Sequence, residues 1–144
     1  MEVIQISDFS DPICESIRVL ILQLHPESLQ RGNDEIRALF RKDEMTLLVV
    51  MDPEQKDRVL GMLTLVAEPL LSGSYGRIED VVVDQKARGM GIGQALVEAA
   101  VTRAKELGIH TIALTSNPKR EAANRLYRRC GFQLYLTNVY HLDI

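Results

Sequence analysis

Apolar and polar positions in the first half of the chain follow two periods, one typical of strands and one typical of helices. Glu2–Ile6 alternates like a strand, and apolar residues recur at helical spacing from Ile13 to Leu24. A second, short helix is predicted at about Asn33 to Arg41. The apolar runs Met45–Met51 and Val59–Ala67, separated by a polar turn, predict an antiparallel hairpin.

The second half predicts strands alternating with two longer helices. A loop is expected at Pro69–Ser74, ahead of a β-branched strand that ends at Asp84. Helical apolar spacing then runs from Gln94 to Leu107, and Gly108 ends this helix. The remaining predicted elements are a strand at His110–Ser116, a basic helix after the Asn117-Pro118 turn, and two closing strands at Phe132–Thr137 and Val139–Leu142.

Three glycines at alternate positions, Gly89, Gly91 and Gly93, join the β-branched strand to the long helix. Glycines let a backbone curl so that several N–H groups point to one place, and a helix N-terminus adds partial positive charge there. Arg88 contributes a full charge beside them. The sequence therefore predicts a pyrophosphate cradle at Arg88–Gly93.

The spacing of these glycines excludes two common nucleotide sites. A dinucleotide-binding G-x-G-x-x-G pattern would need glycine where Gln94 stands, and an acidic residue after the next strand, which His110–Ser116 lacks. A Walker loop would need Gly-Lys-Ser or Gly-Lys-Thr, which is also absent.

Two sequence blocks together resemble a known family. R-x-x-G-x-G at Arg88–Gly93 is similar to motif A of the GNAT superfamily of acetyl-coenzyme A-dependent N-acetyltransferases, and L-Y-x-x-x-G-F within Asn117–Phe132 is similar to its motif B. The resemblance covers roughly residue 60 to the C-terminus. It implies an α/β fold of the α+β type, with a mixed central sheet of about seven strands flanked by about four helices. The length predicts one domain over residues 1–144.

The resemblance also implies roles for individual residues in binding acetyl-CoA. The backbone of the motif A strand should bind the pantetheine arm and the acetyl oxygen, and Asn117 and Asn124 are candidates for pantetheine contacts. Arg120 stands where many relatives carry a coenzyme-binding Asn, so it either reaches phosphate or faces solvent. The strand and cradle residues of the expected coenzyme site are Val81, Val82, Val83, Arg88, Gly89, Met90, Gly91, Ile92, Gly93 and Gln94.

The catalytic groups are only partly determined by the resemblance. Tyr127 stands where the family places the proton donor for the departing thiolate. Relatives that acetylate ribosomal protein N-termini carry a catalytic Glu where this chain has Thr115, which cannot act as a base near neutral pH. Glu79 is the first candidate for the general base, or it is a solvated ion-pair partner. Its neighbour Asp80 should point to the opposite face, because strand side chains alternate.

Composition excludes several classes of protein. A net charge of −3 argues against a nucleic-acid footprint, although basic residues cluster in the motif B helix. Two cysteines, Cys14 and Cys130, are too few for a disulfide framework, and the three histidines are scattered, so no metal site is expected. No signal peptide or run long enough to span a membrane is seen, which predicts a cytoplasmic protein.

The combined prediction is an enzyme that moves an acetyl group directly from acetyl-CoA to a primary amine of a small molecule or peptide. The acceptor is expected to lie against Leu24–Phe40 and Tyr135–Tyr140, and its identity stays open. A homodimer is considered as the assembly. The alternative is a GNAT-fold module that binds acyl-CoA without turnover.

Overall fold

Five strands form one sheet in the order β1-β2-β3-β4-β5. The computed structural model describes residues 1–144. The strands are β1 Ile4–Gln5, β2 Met45–Met51, β3 Val59–Leu70, β4 Gly73–Val83 and β5 Thr111–Ala113. The helices are α1 Asp11–Leu24, α2 Asn33–Phe40, α3 Ile92–Glu106 and α4 Glu121–Arg129, with a 3₁₀ turn at Gln85–Ala87.

The sheet is mixed, as the resemblance implies. Strands β1 to β4 pair antiparallel in sequence order, whereas β4 and β5 are parallel. The parallel pairing is short and joins only Tyr75–Arg77 to Thr111–Ala113. Beyond Arg77, β4 runs on to Val83 with no strand on its β5 side, while its other side stays paired with β3. This divergence opens the sheet at the end of β4.

Two apolar cores lie on opposite faces of the sheet, because successive strand residues point to opposite sides. Met62 on β3 belongs to the core under α1 and α2, together with Leu20 and Ile36. The next residue, Leu63, belongs to the core under α3 and α4, together with Leu96. The helices therefore cover both faces, and the gap beside β4 lies between α3 and α4.

The four predicted helices are confirmed, but the expected count of about seven strands is wrong. The predicted strands over residues 132–137 and 139–142 have no paired backbone, and the predicted strand at 110–116 pairs only over β5. Alternating apolar residues show that a segment suits a sheet, but a strand forms only where a neighbouring strand accepts its hydrogen bonds.

The loop predicted at residues 69–74 is also wrong, since β3 and β4 continue into a tight hairpin there. Pro69 pairs with Ser74, and only Leu71 and Ser72 lie outside the strands. Proline cannot donate to a ladder and is tolerated only where one side of a strand is free. The pairing of β2 with β3 ends at Val66, so Pro69 occupies such a position.

Candidate active site

A cavity of about 860 Å³ lies in the gap where β4 diverges from β5. Its walls are the end of β4, the turn into α3, and the first turns of α4. Most of the site residues predicted from the sequence meet here although they come from three separate segments. Those that line the cavity are Val81, Val82, Val83, Arg88, Gly89, Gly91, Ile92, Gly93, Gln94, Arg120 and Tyr127.

The end of β4 offers backbone groups to this cavity. Val82 pairs with Met62 and Val83 with Gly61 on the β3 side, and nothing pairs with them on the other side. Unpaired N–H and C=O groups of a strand can bind an extended amide-containing chain as a further strand would. The strand end can therefore hold a pantetheine-like ligand and place a donor on a carbonyl oxygen.

The turn after β4 is held in shape by Asp84, which is buried. Its Oδ1 accepts a hydrogen bond from the Lys86 N–H at 2.9 Å, and its Oδ2 lies 3.4 Å from Arg58 Nη2. The Lys86 N–H, followed by Arg58, keeps the pKa of this carboxyl below its usual value. Asp84 therefore stays ionised and fixes the start of the cradle.

The cradle itself has the geometry that the glycine spacing predicts. Gly89 and Gly91 have φ values of +80° and +81°, a left-handed conformation that side chains disfavour. Helix α3 begins at Ile92, and its first hydrogen bond across the cap runs from Ala95 N to Gly91 O. The N–H groups of residues 91–94 donate to no protein acceptor. Free N–H groups at a helix N-terminus can bind an anion.

Positive charge surrounds this cavity, although the whole chain carries a net charge of −3. Only one acidic residue, Glu121, lines it. None of the lining cations takes part in a salt bridge within the protein. They are free to bind an anionic ligand such as a phosphate. These residues are Arg88, Lys119, Arg120, Arg125 and Arg129.

Tyr127 is buried in the wall of the cavity, and its ring packs edge-on against Phe132 with centroids 6.1 Å apart. Its hydroxyl has no protein hydrogen-bond partner, which is unusual for a buried tyrosine. Burial raises the pKa of the phenol above its ordinary value, and Arg120 partly opposes this shift. Tyr127 therefore presents a protonated donor to whatever occupies the cavity.

Three of the predicted coenzyme residues do not line the cavity. Met90 is exposed and lies away from it. Asn124 Nδ2 donates to the carbonyl oxygens of Asn117 and Arg120 at 3.0 and 2.8 Å, and Asn117 Oδ1 accepts from Lys119 N at 2.9 Å. The two asparagines hold the loop between β5 and α4, which places Lys119 and Arg120 at the cavity.

Glu79 also lies outside both the large cavity and the smaller one beside it. Its carboxylate is 2.9 Å from Arg77 Nε, and 42% of its side chain is exposed. A surface ion pair of this kind is common and makes little net contribution to stability.

A second cavity, of about 220 Å³, lies between α1, α2 and the sheet. Leu24 and Val81 line the first cavity, and the residues next to them in sequence, His25 and Asp80, line the second. The two cavities therefore lie close to each other at the end of α1 and the bulge in β4, although they share no lining residue. The wall of the second cavity is mainly apolar, with polar groups at Ser28, Gln30 and Thr64 and with Arg18 and Arg31 as cations.

Asp80 occupies an irregular position in β4. Met62 pairs with Val82 but Thr64 pairs with Glu79, so Asp80 and Val81 together lie opposite Leu63 in a β-bulge. Asp80 has a φ of +53° and is the only residue other than glycine with a positive φ. Strained backbone in a bulge is often found beside functional sites. Desolvation by the surrounding protein raises the pKa of the Asp80 carboxyl, and His25 partly opposes it.

Some of these residues escaped prediction from the sequence. Alternation of strand side chains predicts that Asp80 points to the face opposite Glu79, but the bulge interrupts that alternation. No local sequence pattern indicates the bulge. Lys119, Arg125 and Arg129 were visible as a basic cluster, and the i,i+4 spacing of Arg125 and Arg129 places them on one helix face. That spacing is the feature of the sequence that indicates a shared basic surface.

Comparison with known proteins decides the family. The acetyltransferase (GNAT) family matches residues 14–132. The chain belongs to this family. Its members are acetyltransferases that use acetyl-CoA, which confirms the relationship that the two motifs indicated.

Several curated GNAT proteins are similar to the chain. The protein named "Probable glucosamine 6-phosphate N-acetyltransferase 2" of Oryza sativa subsp. japonica is 37% identical over 62% of this chain and 55% of that protein. Mycothiol acetyltransferase of Arthrobacter sp. (strain FB24) is 30% identical over 75% of this chain and 34% of that protein. The chain thus spans about half of one relative and a third of the other.

Solved GNAT structures share the whole fold. An acetyltransferase of Trypanosoma brucei is 25% identical with a TM-score of 0.81, and the match covers 99% of each chain. A glucosamine-6-phosphate N-acetyltransferase of Arabidopsis thaliana is 17% identical with a TM-score of 0.76, covering 98% of this chain and 97% of that one. The second likeness shows the fold alone.

Two further properties bear on the chemistry. None of the helices is long and apolar enough to cross a membrane. No group of three or more His, Cys, Asp or Glu side chains is placed to hold a metal ion.

Proposed function

We propose that this GNAT protein transfers an acetyl group from acetyl-CoA directly to a primary amine of a small molecule. The observation that carries the proposal is the closeness of two cavities at the bulge in β4, where Val81 lines one cavity and Asp80 lines the other. The larger cavity has a phosphate cradle and an open strand edge, and the smaller one has a carboxylate beside that edge. Such an arrangement brings a thioester and an amine together without a covalent enzyme intermediate.

The fit of acetyl-CoA to the larger cavity follows from three groups of residues. The free N–H groups of residues 91–94 and the five unpaired cations suit the phosphates. The open backbone of Val81–Val83 suits the amide groups of the pantetheine arm, and one of its N–H groups serves the acetyl oxygen. Acetyl-CoA supplies the activated acetyl group, and these residues supply its position.

Tyr127 is proposed as the proton donor to the departing sulfur. A thiol has a pKa near 8.5 and a phenol near 10, so complete proton transfer from tyrosine to thiolate is uphill by about 2 kcal/mol. Burial of Tyr127 makes that transfer still less favourable. The hydroxyl therefore acts by donating a hydrogen bond that strengthens as negative charge develops on sulfur.

Asp80 is proposed as the group that binds the amine and takes its proton. It lines the second cavity, next in sequence to Val81 of the first, and a carboxyl with a raised pKa is better matched to proton transfer near neutral pH than an ordinary one. Glu79, the first candidate from the sequence, stays the alternative base. Its ion pair with Arg77 would have to open for that role.

The acceptor is proposed to be a small amine, because the second cavity measures only about 220 Å³ and lies between α1, α2 and the sheet. A peptide would need a longer groove. Glucosamine 6-phosphate is the first compound to test, because two of the similar proteins carry it in their names.

The direct test is a thiol-release assay with acetyl-CoA and a panel of amines that includes glucosamine 6-phosphate, amino acids and a peptide N-terminus. Mass spectrometry should show a product 42 Da heavier than one small amine, the mass change of one acetylation. If acetyl-CoA binds and no amine is acetylated, the alternative function is favoured, namely an acyl-CoA-binding module without turnover.

The cradle makes a separate prediction about coenzyme binding. Gly91→Val should raise the Kd for coenzyme A about 5- to 30-fold, because a side chain in the left-handed conformation costs roughly 1–2 kcal/mol and the cradle must keep that conformation to bind. Calorimetry measures the Kd. Gly108→Val is the matched control, since Gly108 has a φ of +74° and also has no neighbouring atoms within 4 Å but lies at the far end of α3. Equal Kd values for the two variants would contradict the role of the cradle.

Arg120 makes a prediction about the phosphates. Arg120→Ala should weaken binding of coenzyme A by roughly tenfold, the effect of losing one charge-assisted hydrogen bond, and leave binding of acetyl-pantetheine unchanged. The control is Arg128→Ala, since Arg128 is exposed on α4 outside the cavity. Equal losses for both ligands would show that Arg120 does not contact phosphate.

A further inference from the structure

The second cavity has an apolar interior. Side chains from α1, α2, β2 and β3 form its walls, and several of them belong to the core beneath those two helices. A pocket of this kind binds an apolar group by removing the surface of that group from water. The apolar side chains of the wall include Ile17, Ile21, Leu39, Phe40, Met45 and Met62.

One further apolar side chain of this cavity is exposed. Leu29 lies in the loop between α1 and α2, and 85% of its surface is accessible although it lines the cavity. An exposed leucine is ordinary by itself, but here it stands beside a cavity with apolar walls. Leu29 therefore offers an apolar contact that a ligand in the cavity can use and that the protein alone does not.

The two arginines of this cavity are already paired within the protein. Arg18 Nε and Nη2 donate to Glu15 Oε2 at 3.2 and 2.6 Å, and its Nη1 donates to Asn33 Oδ1 at 2.5 Å. Arg31 Nη1 lies 3.4 Å from Glu35 Oε2. An anionic ligand would have to compete with these partners. The cations of the larger cavity differ, because they form no salt bridge within the protein.

The single carboxylate that lines the second cavity has no such partner. Asp80 takes part in no salt bridge within the protein, and it is exposed, so a ligand can reach it. His25 is the remaining ionisable residue of the wall. An unpaired negative charge at one end of an apolar cavity favours a ligand with one cationic group on an apolar body.

We propose that the acceptor is a primary amine on an uncharged apolar body, such as a phenylalkylamine or a branched alkylamine. Its ammonium group pairs with Asp80, and its body lies between α1 and α2 against Leu29. This inference rests on the proposed acetyl transfer and narrows the class of its acceptor. A carboxylate or phosphate on the acceptor finds no unpaired arginine here, and the hydroxyls of a sugar lose water against apolar walls.

The first test compares acceptors that differ in one property each. The thiol-release assay is run with 2-phenylethylamine, 3-methylbutylamine, phenylalanine, glucosamine and glucosamine 6-phosphate. Phenylalanine adds only a carboxylate to the first compound, and glucosamine is a polar amine without an anion. We expect the better of the two apolar amines to have a kcat/KM at least about tenfold above that of each other compound. An equal or higher value for phenylalanine or either sugar would overturn this inference and leave acetyl transfer itself supported.

The second test does not depend on turnover. Calorimetry measures the Kd of each amine for the protein saturated with coenzyme A. We expect the apolar amines to bind at least about tenfold more tightly than phenylalanine and the sugars, even if none of them is acetylated. Absence of acetylation would count against the proposed function alone. Absence of binding by the apolar amines, or tighter binding of an anionic or sugar amine, would overturn the inference.

A variant of Leu29 tests where the apolar body lies. Leu29→Ser should raise the KM or the Kd for the better apolar amine about tenfold, because most of an apolar contact is lost, and leave the Kd for coenzyme A unchanged. The Tm should not change, since the side chain is exposed in the free protein. Leu71→Ser is the control, because Leu71 is also highly exposed but lies between β3 and β4, and it should keep both values. Wild-type values in Leu29→Ser would overturn the placement of the apolar body.

Discussion

Replacing Tyr127 with phenylalanine is expected to lower kcat and kcat/KM together by about 10²–10⁴-fold, the contribution of a positioned proton donor. The substitution keeps the ring and its contact with Phe132, so the site should keep its shape. The Kd for acetyl-CoA should change little, because the hydroxyl acts mainly on charge that develops during the reaction. Steady-state kinetics with the acceptor found in the panel, together with calorimetry, measures both quantities.

The same substitution should have little effect on the free energy of unfolding. The Tyr127 hydroxyl has no hydrogen-bond partner in the protein, so its removal breaks no bond that stabilises the folded state. Tyr75→Phe is the matched control. It removes a hydroxyl from β4 outside the large cavity and should leave kcat unchanged. A wild-type kcat in Tyr127→Phe would show that Tyr127 contributes packing and does not donate a proton.

The raised pKa of Tyr127 also predicts how activity changes at high pH. A donor must be protonated, and burial raises the pKa of this phenol above the ordinary value near 10. Deprotonation of Tyr127 should therefore lower kcat only above about pH 10.

The cradle could be predicted from the sequence because all its determinants are local. Strand, glycines and helix follow one another within residues 77–107, and Gly89 and Gly91 take the left-handed conformations that their spacing indicates. Tyr127 could be placed only through the family resemblance. Apolar helical spacing alone would have made it an ordinary core residue.

The errors arose where structure depends on pairing between distant segments. The pattern of residues 132–142 suits a strand, but the local pattern does not state whether another strand pairs with it. Similarly, the bulge at Asp80 follows from a register shift against β3, which is set by residues some twenty positions away. An alternation rule applied within β4 cannot detect it.

Asp80→Asn is expected to lower kcat/KM by about 10²–10⁴-fold, because an amide cannot accept the proton of the amine. Asparagine has the same shape and tolerates positive φ well, so the bulge should be retained. Glu79→Gln is the control that separates the two candidate bases. If Glu79 is only the surface partner of Arg77, its variant should keep nearly wild-type kinetics. A large loss in Glu79→Gln and none in Asp80→Asn would move the role of the base to Glu79.

Stability should change in the opposite direction to activity in Asp80→Asn. The folded-state pKa of Asp80 is raised, so the folded state favours the protonated carboxyl. That favourable contribution is complete below the unfolded pKa near 3.9 and is lost as pH rises through the folded-state pKa. Asparagine has no such loss. The Tm of the variant relative to wild type should therefore be higher near neutral pH than near pH 4, as thermal unfolding at both pH values would show.

The pH profile of kcat/KM gives the last test of Asp80. A base must be ionised, so the wild-type rate should fall on the acid side as pH drops through the raised pKa of Asp80, above the value of an ordinary aspartate. His25, Arg18 and Arg31 are the other ionisable residues that line this cavity. The residual rate of Asp80→Asn should lose the acid limb. A limb that persists unchanged in this variant would belong to another group or to the amine itself, and Asp80 would then be a strained structural residue of the bulge.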